Sequence, residues 1–258
     1  MHIQDQVFHE DHRMHTHQAD PFFSARLSYY FQVMQEGAAA HAMLRGSGNP
    51  DLEKDGKLWV LSRIRMRISR YLTWPENFRL STWIHPPQRL IAPREAMAVD
   101  ASGDVLFRSL AYWVIIDQES RRPVRADTYL EHLGLSDKRD HWDVESLAKV
   151  PSISEDAPVV FYEPQVQYRD MDSIRHINNI SYLEWMLESM DPDFRDCWKA
   201  SKVEINFLAE SFLSDSLKVA SSRISETVWL YSVMKDSPEG DVETCRAKIT
   251  WKPRECMV

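Results

Sequence analysis

Hydrophobic and polar positions in the first half of the chain predict one strand, one helix and then four strands. Residues 7–16 alternate in polarity, as a half-buried strand does. The helix that follows has apolar residues near the helical period, namely Leu27, Tyr30, Phe31, Met34, Ala38 and Ala42. Gly46 and Gly48 are expected to end it. After a polar loop at 49–57, strand-like runs occupy 58–71, 78–85, 94–100 and 105–117, with a hairpin turn at 101–104.

The second half repeats this order of elements. A strand is predicted at 159–169, a helix at 179–190, and four further strands at 202–212, 217–224, 228–235 and 242–251. Short sequences repeat as well, since Ser28-Tyr29 opens the first helix as Ser181-Tyr182 opens the second, and residues 74–80 resemble residues 213–219. The second helix is apolar nearly all the way round, which is typical of a helix wrapped by a sheet.

Two copies of a strand, a buried helix and an antiparallel meander indicate a duplicated α+β unit. A unit in which an antiparallel sheet wraps around a central helix has the hot-dog fold, so the predicted architecture is a tandem double hot-dog. The N-terminal domain is expected at 1–126 and the C-terminal domain at 158–258. The charged, weakly periodic stretch at 127–157 is interpreted as a linker with room for one short helix.

Composition and charge narrow the function classes. The net charge of −8 argues against nucleic acid as the main partner, and no apolar run approaches the ~20 residues of a membrane span. The sequence contains neither a Gly-rich phosphate-binding motif nor a serine-hydrolase elbow. Three cysteines without a C-x-x-C pair are typical of a reducing compartment. Because the N-terminal residues resemble neither a signal nor a transit peptide, we expect a cytoplasmic protein.

The candidate chemistry is concentrated in the turn before the second helix, where acidic, amide and imidazole side chains crowd together: Asp170, Asp172, His176, Asn178 and Asn179. Asx residues at such a place are usually helix caps, and either Asn178 or Asn179 fits that role. The backbone N–H groups of a helix start also favour developing negative charge. From the spacing alone, a structural turn and a catalytic site both remain open.

Motifs spread over most of the chain occur together in one known protein family. They are DMDSIRHINN at 170–179, WVLSR at 59–63 with RYLTW at 70–74, INFLAE at 205–210 and TWKP at 250–253. They resemble motifs of the acyl-acyl carrier protein (acyl-ACP) thioesterases. The first resembles that family's D-x-D-x-N-x-H-x-N-N block, and the next two resemble its W-V-x-x-R and R-Y-P-T-W signatures. The last two resemble the strand that carries a second acidic residue and the closing T-x-W-x-P.

The resemblance implies a catalytic set and a substrate-binding pair at the helix start: Asp172, His176 and Glu210, then Asn178 and Asn179. Ser211 stands where many family members have cysteine. One departure matters, because the Asn between the Asp and the His of the motif is Ile174 here. The first half lacks the cluster, which implies one active site per chain, in the C-terminal domain, and acyl-chain binding by the N-terminal domain.

The implied reaction is hydrolysis of acyl-ACP thioesters in fatty acid biosynthesis. The implied partner is an acyl carrier protein bearing a fatty acyl chain; no metal or cofactor is expected, and a homodimer is left open. Backbone N–H groups at the helix start would polarise the thioester carbonyl, Glu210 or Asp172 would be the general base, and His176 would orient the carboxylates or the water. Two alternatives stay open: a hot-dog hydratase or dehydratase, and a non-catalytic acyl-binding or regulatory protein.

Two other groups of polar residues are interpreted as strand faces. Five of the ten histidines lie between His2 and His17. His9, Asp11, Arg13, His15 and His17 are interpreted as one polar face of an alternating strand, so no metal site is expected there. Arg63, Arg65 and Arg67 alternate on the next strand. A solvated face is the simpler interpretation of these arginines, and a docking patch for the acidic carrier protein is the functional one.

Overall fold

The computed structural model describes residues 1–130, 134–136, 138 and 147–254. The chain divides into two compact units, Met1–Leu147 and Ala148–Val258. Part of the linker predicted at 127–157, namely residues 131–133, 137 and 139–146, lies outside the described residues. Its first four residues, Asp127–Leu130, form a short helix with Leu130 buried.

The first unit is an antiparallel sheet with helices. Its strands are β1 (His2–Gln4), β2 (Val7–Arg13), β3 (Lys57–Ile68), β4 (Asn77–Ile84), β5 (Ile91–Asp100), β6 (Val105–Asp117) and β7 (Pro123–Val124). Its helices are α1 (Leu27–Leu44), α2 (Asn49–Glu53) and α3 (Asp127–Leu130). The sheet order is β1-β2-β4-β5-β6-β3, with β7 paired to β6, and the pairings are antiparallel.

Helix α1 is the central helix of the first unit and packs against β2 and β4. All members of the predicted apolar stripe, from Leu27 to Ala42, are buried. Gly37 lies so close to β4 that a Cβ atom there would displace the end of the Leu80 side chain, so glycine lets the helix approach the strand closely. The hydroxyl of Tyr30 accepts the N–H of Leu72 at 2.7 Å, which ties the helix to the segment after β3.

The second unit repeats the arrangement with a shorter helix. Its elements are β8 (Val160–Tyr162), α4 (Asn179–Glu188), α5 (Pro192–Cys197), β9 (Trp198–Phe207), β10 (Leu217–Arg223), β11 (Val228–Lys235) and β12 (Val242–Pro253). The antiparallel sheet order is β9-β12-β11-β10-β8. Helix α4 packs against β10 and buries Tyr182, Leu183, Trp185 and Met186. The predicted α+β class, with one central helix in each half, is therefore confirmed.

Two predicted strands are shorter in the structure. The first ends at Arg13, and Thr16–Gln18 form a 3₁₀ turn in which the His15 N–H donates to Gln18 Oε1 at 2.7 Å. The strand predicted at 159–169 ends at Tyr162. Pro164 follows two residues later and has no N–H to donate to a ladder.

The strand predicted at 202–212 is shifted toward the N-terminus and runs from Trp198 to Phe207. It ends where the N–H groups of Leu208 and Ala209 both donate to the carbonyl oxygen of Thr244, at 2.8 and 3.2 Å. The polar loop predicted at 49–57 contains helix α2. In the part of the chain that the structure describes, no helix is both long and apolar enough to span a membrane.

Candidate active site

The turn before α4 is held by the side chain of Asp172. Its Oδ1 atom accepts the backbone N–H groups of Ile174 and His176, at 3.0 Å each, and its own N–H donates to the His176 carbonyl oxygen at 2.8 Å. Arg175 lies within this turn with a φ of +65°, in the left-handed region. Asp side chains commonly bond backbone groups a few residues ahead, so this carboxylate fixes the position of His176.

Helix α4 begins with an asparagine cap. Asn178 Oδ1 accepts the N–H of Ile180 at 2.9 Å, which is the preferred chemistry at this position. The N–H of Asn178 itself donates to the Asp170 carbonyl oxygen at 2.7 Å. Asn179 is the first helical residue, and among the described residues its N–H has no acceptor. The helix start therefore keeps one backbone donor for a bound group.

Glu210 lies in the loop after β9 and faces His176. The distance from His176 Nδ1 to Glu210 Oε1 is 3.6 Å, and the two side chains are 17% and 32% exposed. This separation is longer than a hydrogen bond but within ion-pair range. Lys235 Nζ donates to the Glu210 carbonyl oxygen at 2.9 Å, and the ring of Phe212 packs edge-on against His176 at 5.2 Å between centroids. An imidazole and a carboxylate that are remote in sequence thus share one site.

The Glu210 loop is joined to the neighbouring turn and to α4. The N–H of Ile177 donates to the Ser211 carbonyl oxygen at 2.9 Å. The hydroxyl of Tyr182 on α4 lies beside Ser211 and Thr244. Burial raises the pKa of Tyr182 to about 12, and the nearby Ser211 hydroxyl acts in the opposite direction. Tyr182 is therefore neutral near pH 7, and its hydroxyl lies beside these segments without acting as a base.

The first unit contains the same turn. Asp20 Oδ1 accepts the N–H groups of Phe22 and Ser24 at 2.9 and 3.0 Å, and the Asp20 N–H donates to the Ser24 carbonyl oxygen at 2.7 Å. Phe23 lies within this turn with a φ of +57°. Each of these contacts has its counterpart around Asp172, so the two turns are copies of one structure.

A second shared contact extends the alignment to the loop that carries Glu210. The N–H of Ala25 donates to the Leu72 carbonyl oxygen at 2.9 Å, as the N–H of Ile177 does to Ser211. The residues that immediately precede these two acceptors are Tyr71 in the first unit and Glu210 in the second.

The first unit keeps one member of the predicted catalytic set. Asp20 corresponds to Asp172, but Ser24 stands in place of His176, and Tyr71 stands in place of Glu210. At this turn, an imidazole beside a carboxylate is thus found in the second unit and not in the first. An Asp holds this turn in both units, which gives Asp172 a structural role that needs no catalysis.

The sequence repeat predicted between the two helices is wrong by one residue. Counted from the first residues of the helices, Leu27 and Asn179, the counterpart of Tyr182 is Tyr30 rather than Tyr29. Both tyrosine hydroxyls lie beside the loop after the strand, since Tyr30 accepts the N–H of Leu72 and Tyr182 lies beside Ser211. The structural repeat therefore includes the contact between helix and loop.

The structure brings two of the three predicted catalytic side chains together. The side chains of His176 and Glu210 come together, whereas Asp172 reaches His176 through backbone N–H groups. Sequence reasoning missed Phe212 and Lys235; the first lies beside Ser211 in sequence, but the second is on β11 and carries no local signal. Among the described residues, no group of three or more His, Cys, Asp or Glu is arranged to hold a metal ion.

The predicted docking arginines lie on β3 in the first unit. Arg63, Arg65 and Arg67 alternate with a buried row formed by Ile64, Met66 and Ile68, so they project from the opposite face of the sheet. Arg63 Nη1 donates to the Leu147 carbonyl oxygen at 2.9 Å, and Arg67 is exposed. Their role in docking stays a prediction.

Curated proteins similar to this chain include plant thioesterases. It is 23% identical over 216 residues to a chloroplastic palmitoyl-acyl carrier protein thioesterase of Cuphea hookeriana, covering 79% of this chain and 52% of the relative. It is 26% identical over 165 residues to the chloroplastic oleoyl-acyl carrier protein thioesterase 2 of Arabidopsis thaliana, covering 59% and 44%. The chain thus spans about half the length of these relatives.

Solved structures match over nearly the whole chain. A 12:0-ACP thioesterase from Umbellularia californica has a TM-score of 0.88 at 21% identity, covering 98% of this chain and 100% of that one. An acyl-ACP thioesterase from Bacteroides thetaiotaomicron VPI-5482 has a TM-score of 0.84 at 21% identity, covering 96% and 98%. These likenesses confirm the predicted tandem double hot-dog fold.

Family models match both halves of the chain in order. The model of the acyl-ACP thioesterase N-terminal domain matches residues 5–132, and that of the C-terminal domain matches residues 154–253. Together with the double hot-dog fold, these matches show that the chain belongs to the acyl-ACP thioesterase family.

Proposed function

We propose that this protein hydrolyses acyl-ACP thioesters in fatty acid biosynthesis, releasing a free fatty acid and the carrier protein. The observation that carries the proposal is the approach of Glu210 to His176, at 3.6 Å, beside the start of a buried helix in a chain of this family. The cytoplasmic location expected from the sequence is part of the proposal, although the curated relatives named above are chloroplastic.

Glu210 is the general base in this proposal. Its carboxylate takes a proton from water, and the water oxygen attacks the thioester carbonyl carbon. The C–S bond of the tetrahedral intermediate then breaks, and the departing thiolate takes up the proton. Asp172 is less suited to this role, because one of its oxygens already accepts two backbone N–H groups. A positioned base contributes about 10²–10⁴ in rate.

His176 orients the base and the water. Its Nδ1 atom faces the Glu210 carboxylate, and the edge-on ring of Phe212 limits its movement. Contacts between catalytic groups are often long without substrate and shorten when substrate binds. The 3.6 Å between His176 Nδ1 and Glu210 Oε1 is consistent with a catalytic site that has no substrate bound. The N–H of Asn179 is the donor proposed for the developing oxyanion, a contribution of about 10²–10³ per donor.

The test is release of free thiol from acyl-ACP, followed with a thiol reagent and by mass spectrometry of the acyl product. Hydrolysis yields one thiol and one fatty acid for each substrate consumed. A hydratase or dehydratase would change the acyl chain without releasing thiol. A binding protein would leave acyl-ACP and acyl-CoA of every chain length intact. Either of the last two results would overturn the proposal.

Replacing Ile174 with asparagine is expected to raise kcat about tenfold, since one added transition-state hydrogen bond is worth roughly that factor. KM should change little, because the contact would act mainly in the transition state. The stability cost should be small, since Ile174 is only half-buried in a polar turn. The matched control is Phe22→Asn, which introduces the same residue at the equivalent position of the turn in the first unit. If kcat is unchanged for short, medium and long acyl chains, residue 174 has no role in catalysis.

Charge reversal of Arg63, Arg65 and Arg67 together is expected to lower kcat/KM for acyl-ACP about tenfold, with a smaller loss for acyl-CoA, because surface charge steers a charged partner. Added salt should narrow the difference between the two substrates. Steady-state kinetics at two ionic strengths measure both effects. An equal loss on both substrates would instead indicate damage to β3.

A further inference from the structure

One charged side chain interrupts a row of small apolar residues on β5. Alternate positions of the strand point to one face of the sheet, and here they are Ala92, Arg94, Ala96 and Ala98. All four are buried, and Arg94 is only 4% exposed. The cross-strand partner of Arg94 is Ile84 on β4, which is also buried. The guanidinium therefore lies in the interior of the first unit.

The contacts of Arg94 are few and include no carboxylate. Within the described residues, its Nη1 donates to His41 Nδ1 at 3.1 Å and to Thr82 Oγ1 at 3.4 Å, and no acidic side chain pairs with it. The adjacent Glu95 projects to the other face of the sheet, where its Oε1 lies 2.6 Å from His85 Nε2. Burial lowers the pKa of Arg94 to about 10, which still leaves it charged near pH 7.

His41 on α1 is the second member of this interior cluster and is fully buried. Its ring stacks on Phe8, with 5.8 Å between centroids. Because Nδ1 accepts a hydrogen bond from Arg94, the ring proton of neutral His41 resides on Nε2. That atom is buried and, among the described residues, has no hydrogen-bond partner. Burial, with the charges of Arg94 and Arg45, lowers the pKa of His41 to about 3, so the ring is neutral.

Among the described residues, the cluster thus combines a buried guanidinium that pairs with no carboxylate and one buried N–H group, at His41 Nε2, that has no acceptor. A buried guanidinium lacking a counter-charge is costly, and so is a buried N–H without a partner. The planar guanidinium is suited to two parallel hydrogen bonds with a carboxylate.

We propose that Arg94 and His41 form an interior binding site for one carboxylate group, in the first unit between α1 and the sheet. The guanidinium would pair with the carboxylate, and the Nε2–H of His41 would donate to it. The group could come from a small soluble acid or from the head of a fatty acid. The proposal rests on the contacts of these side chains and stands apart from the hydrolytic function.

The site is tested by thermal unfolding of the whole protein in increasing sodium acetate or sodium octanoate, with chloride making up a constant ionic strength. We expect a saturable rise in Tm of about 5–10 °C at a hundredfold excess over Kd. Methyl octanoate, which lacks the carboxylate, should give no rise. Equal binding of acetate and octanoate would identify a small-acid site, and binding of octanoate alone would identify a fatty acid head-group site. No saturable rise with either salt would overturn the proposal.

Two variants make the test specific. Arg94→Met removes the cation, keeps an unbranched side chain and should abolish the rise. Arg79→Met is the control, because Arg79 is on neighbouring β4, is half-exposed and already pairs with Asp11; its Tm should respond as the parent's does. If Arg94→Met does not fold, Arg94→Lys replaces it and should weaken binding at least tenfold, since the second hydrogen bond is lost. Full response in the folded Arg94 variant would overturn the assignment.

Discussion

Glu210→Gln is expected to lower kcat for acyl-ACP hydrolysis by about 10²–10⁴, the usual contribution of a positioned general base. Glutamine keeps the size and the polarity of the side chain but cannot take a proton from water at neutral pH. The backbone contact from Lys235 to the Glu210 carbonyl oxygen does not depend on the side chain. The loop should therefore keep its conformation, and Tm should change by no more than a few degrees, as for other partly exposed positions.

Single-turnover hydrolysis of acyl-ACP measures this loss directly, without a contribution from product release. Glu204→Gln is a matched control, because Glu204 is on β9 and its carboxylate pairs with Lys202 at 2.7 Å, whereas that of Glu210 faces His176. The control should hydrolyse at the parent rate. If the rate for Glu210→Gln equals that of the parent, the base lies elsewhere and the Glu210–His176 approach has no catalytic meaning.

The central helices could be predicted because their apolar residues carry the signal themselves. The apolar residues of the stripe from Leu27 to Ala42 recur at the helical period, and each member of the stripe is buried in α1. The strands facing these helices alternate for the same reason. This local pattern sufficed to predict two hot-dog units, since the helix and strands of each unit follow one another along the chain.

The ends of strands could not be predicted, because they depend on contacts with distant residues. The end of β9 is set by Thr244, whose carbonyl oxygen accepts from both Leu208 and Ala209. Residues 208–212 remain apolar enough to resemble a strand, so no local signal marks the break. The position of this strand end affects the candidate active site, since it places Glu210 in a loop rather than on a strand.

Residue types at the site were predictable from the motif, but the function of each atom was not. The motif places an Asp four residues before the His. With that spacing, the Asp can act as a general base or can hold the turn by accepting backbone N–H groups. Only the structure reveals that Asp172 Oδ1 accepts two backbone N–H groups. The copy of this turn around Asp20 was hidden as well, because Pro21-Phe22-Phe23-Ser24 shares almost no side-chain chemistry with its counterpart.

The two copies of the turn make a paired experiment possible, in which Asp172→Ala is expected to lower kcat about 10²-fold, because small displacements of a catalytic group have effects of that size. The substitution removes the acceptor for the His176 N–H, so the imidazole would no longer be held beside Glu210. Asp20→Ala removes the same two hydrogen bonds from the first unit. Each variant should lose about 1–3 kcal/mol of stability, the cost of leaving partly buried donors without their acceptor.

Asp172→Asn separates positioning from base catalysis. An asparagine Oδ1 accepts the same two N–H groups but cannot serve as a general base, so a positioning role predicts nearly parental kcat for this variant. A base role predicts the same large loss for Asn as for Ala. Asp20→Ala should leave kcat unchanged at a temperature where it is folded, since Ser24 and Tyr71 stand at the positions equivalent to His176 and Glu210 and cannot act as they do. Urea unfolding measured beside kcat distinguishes the two effects, and an inactive Asp172→Asn with parental stability would return Asp172 to the role of base.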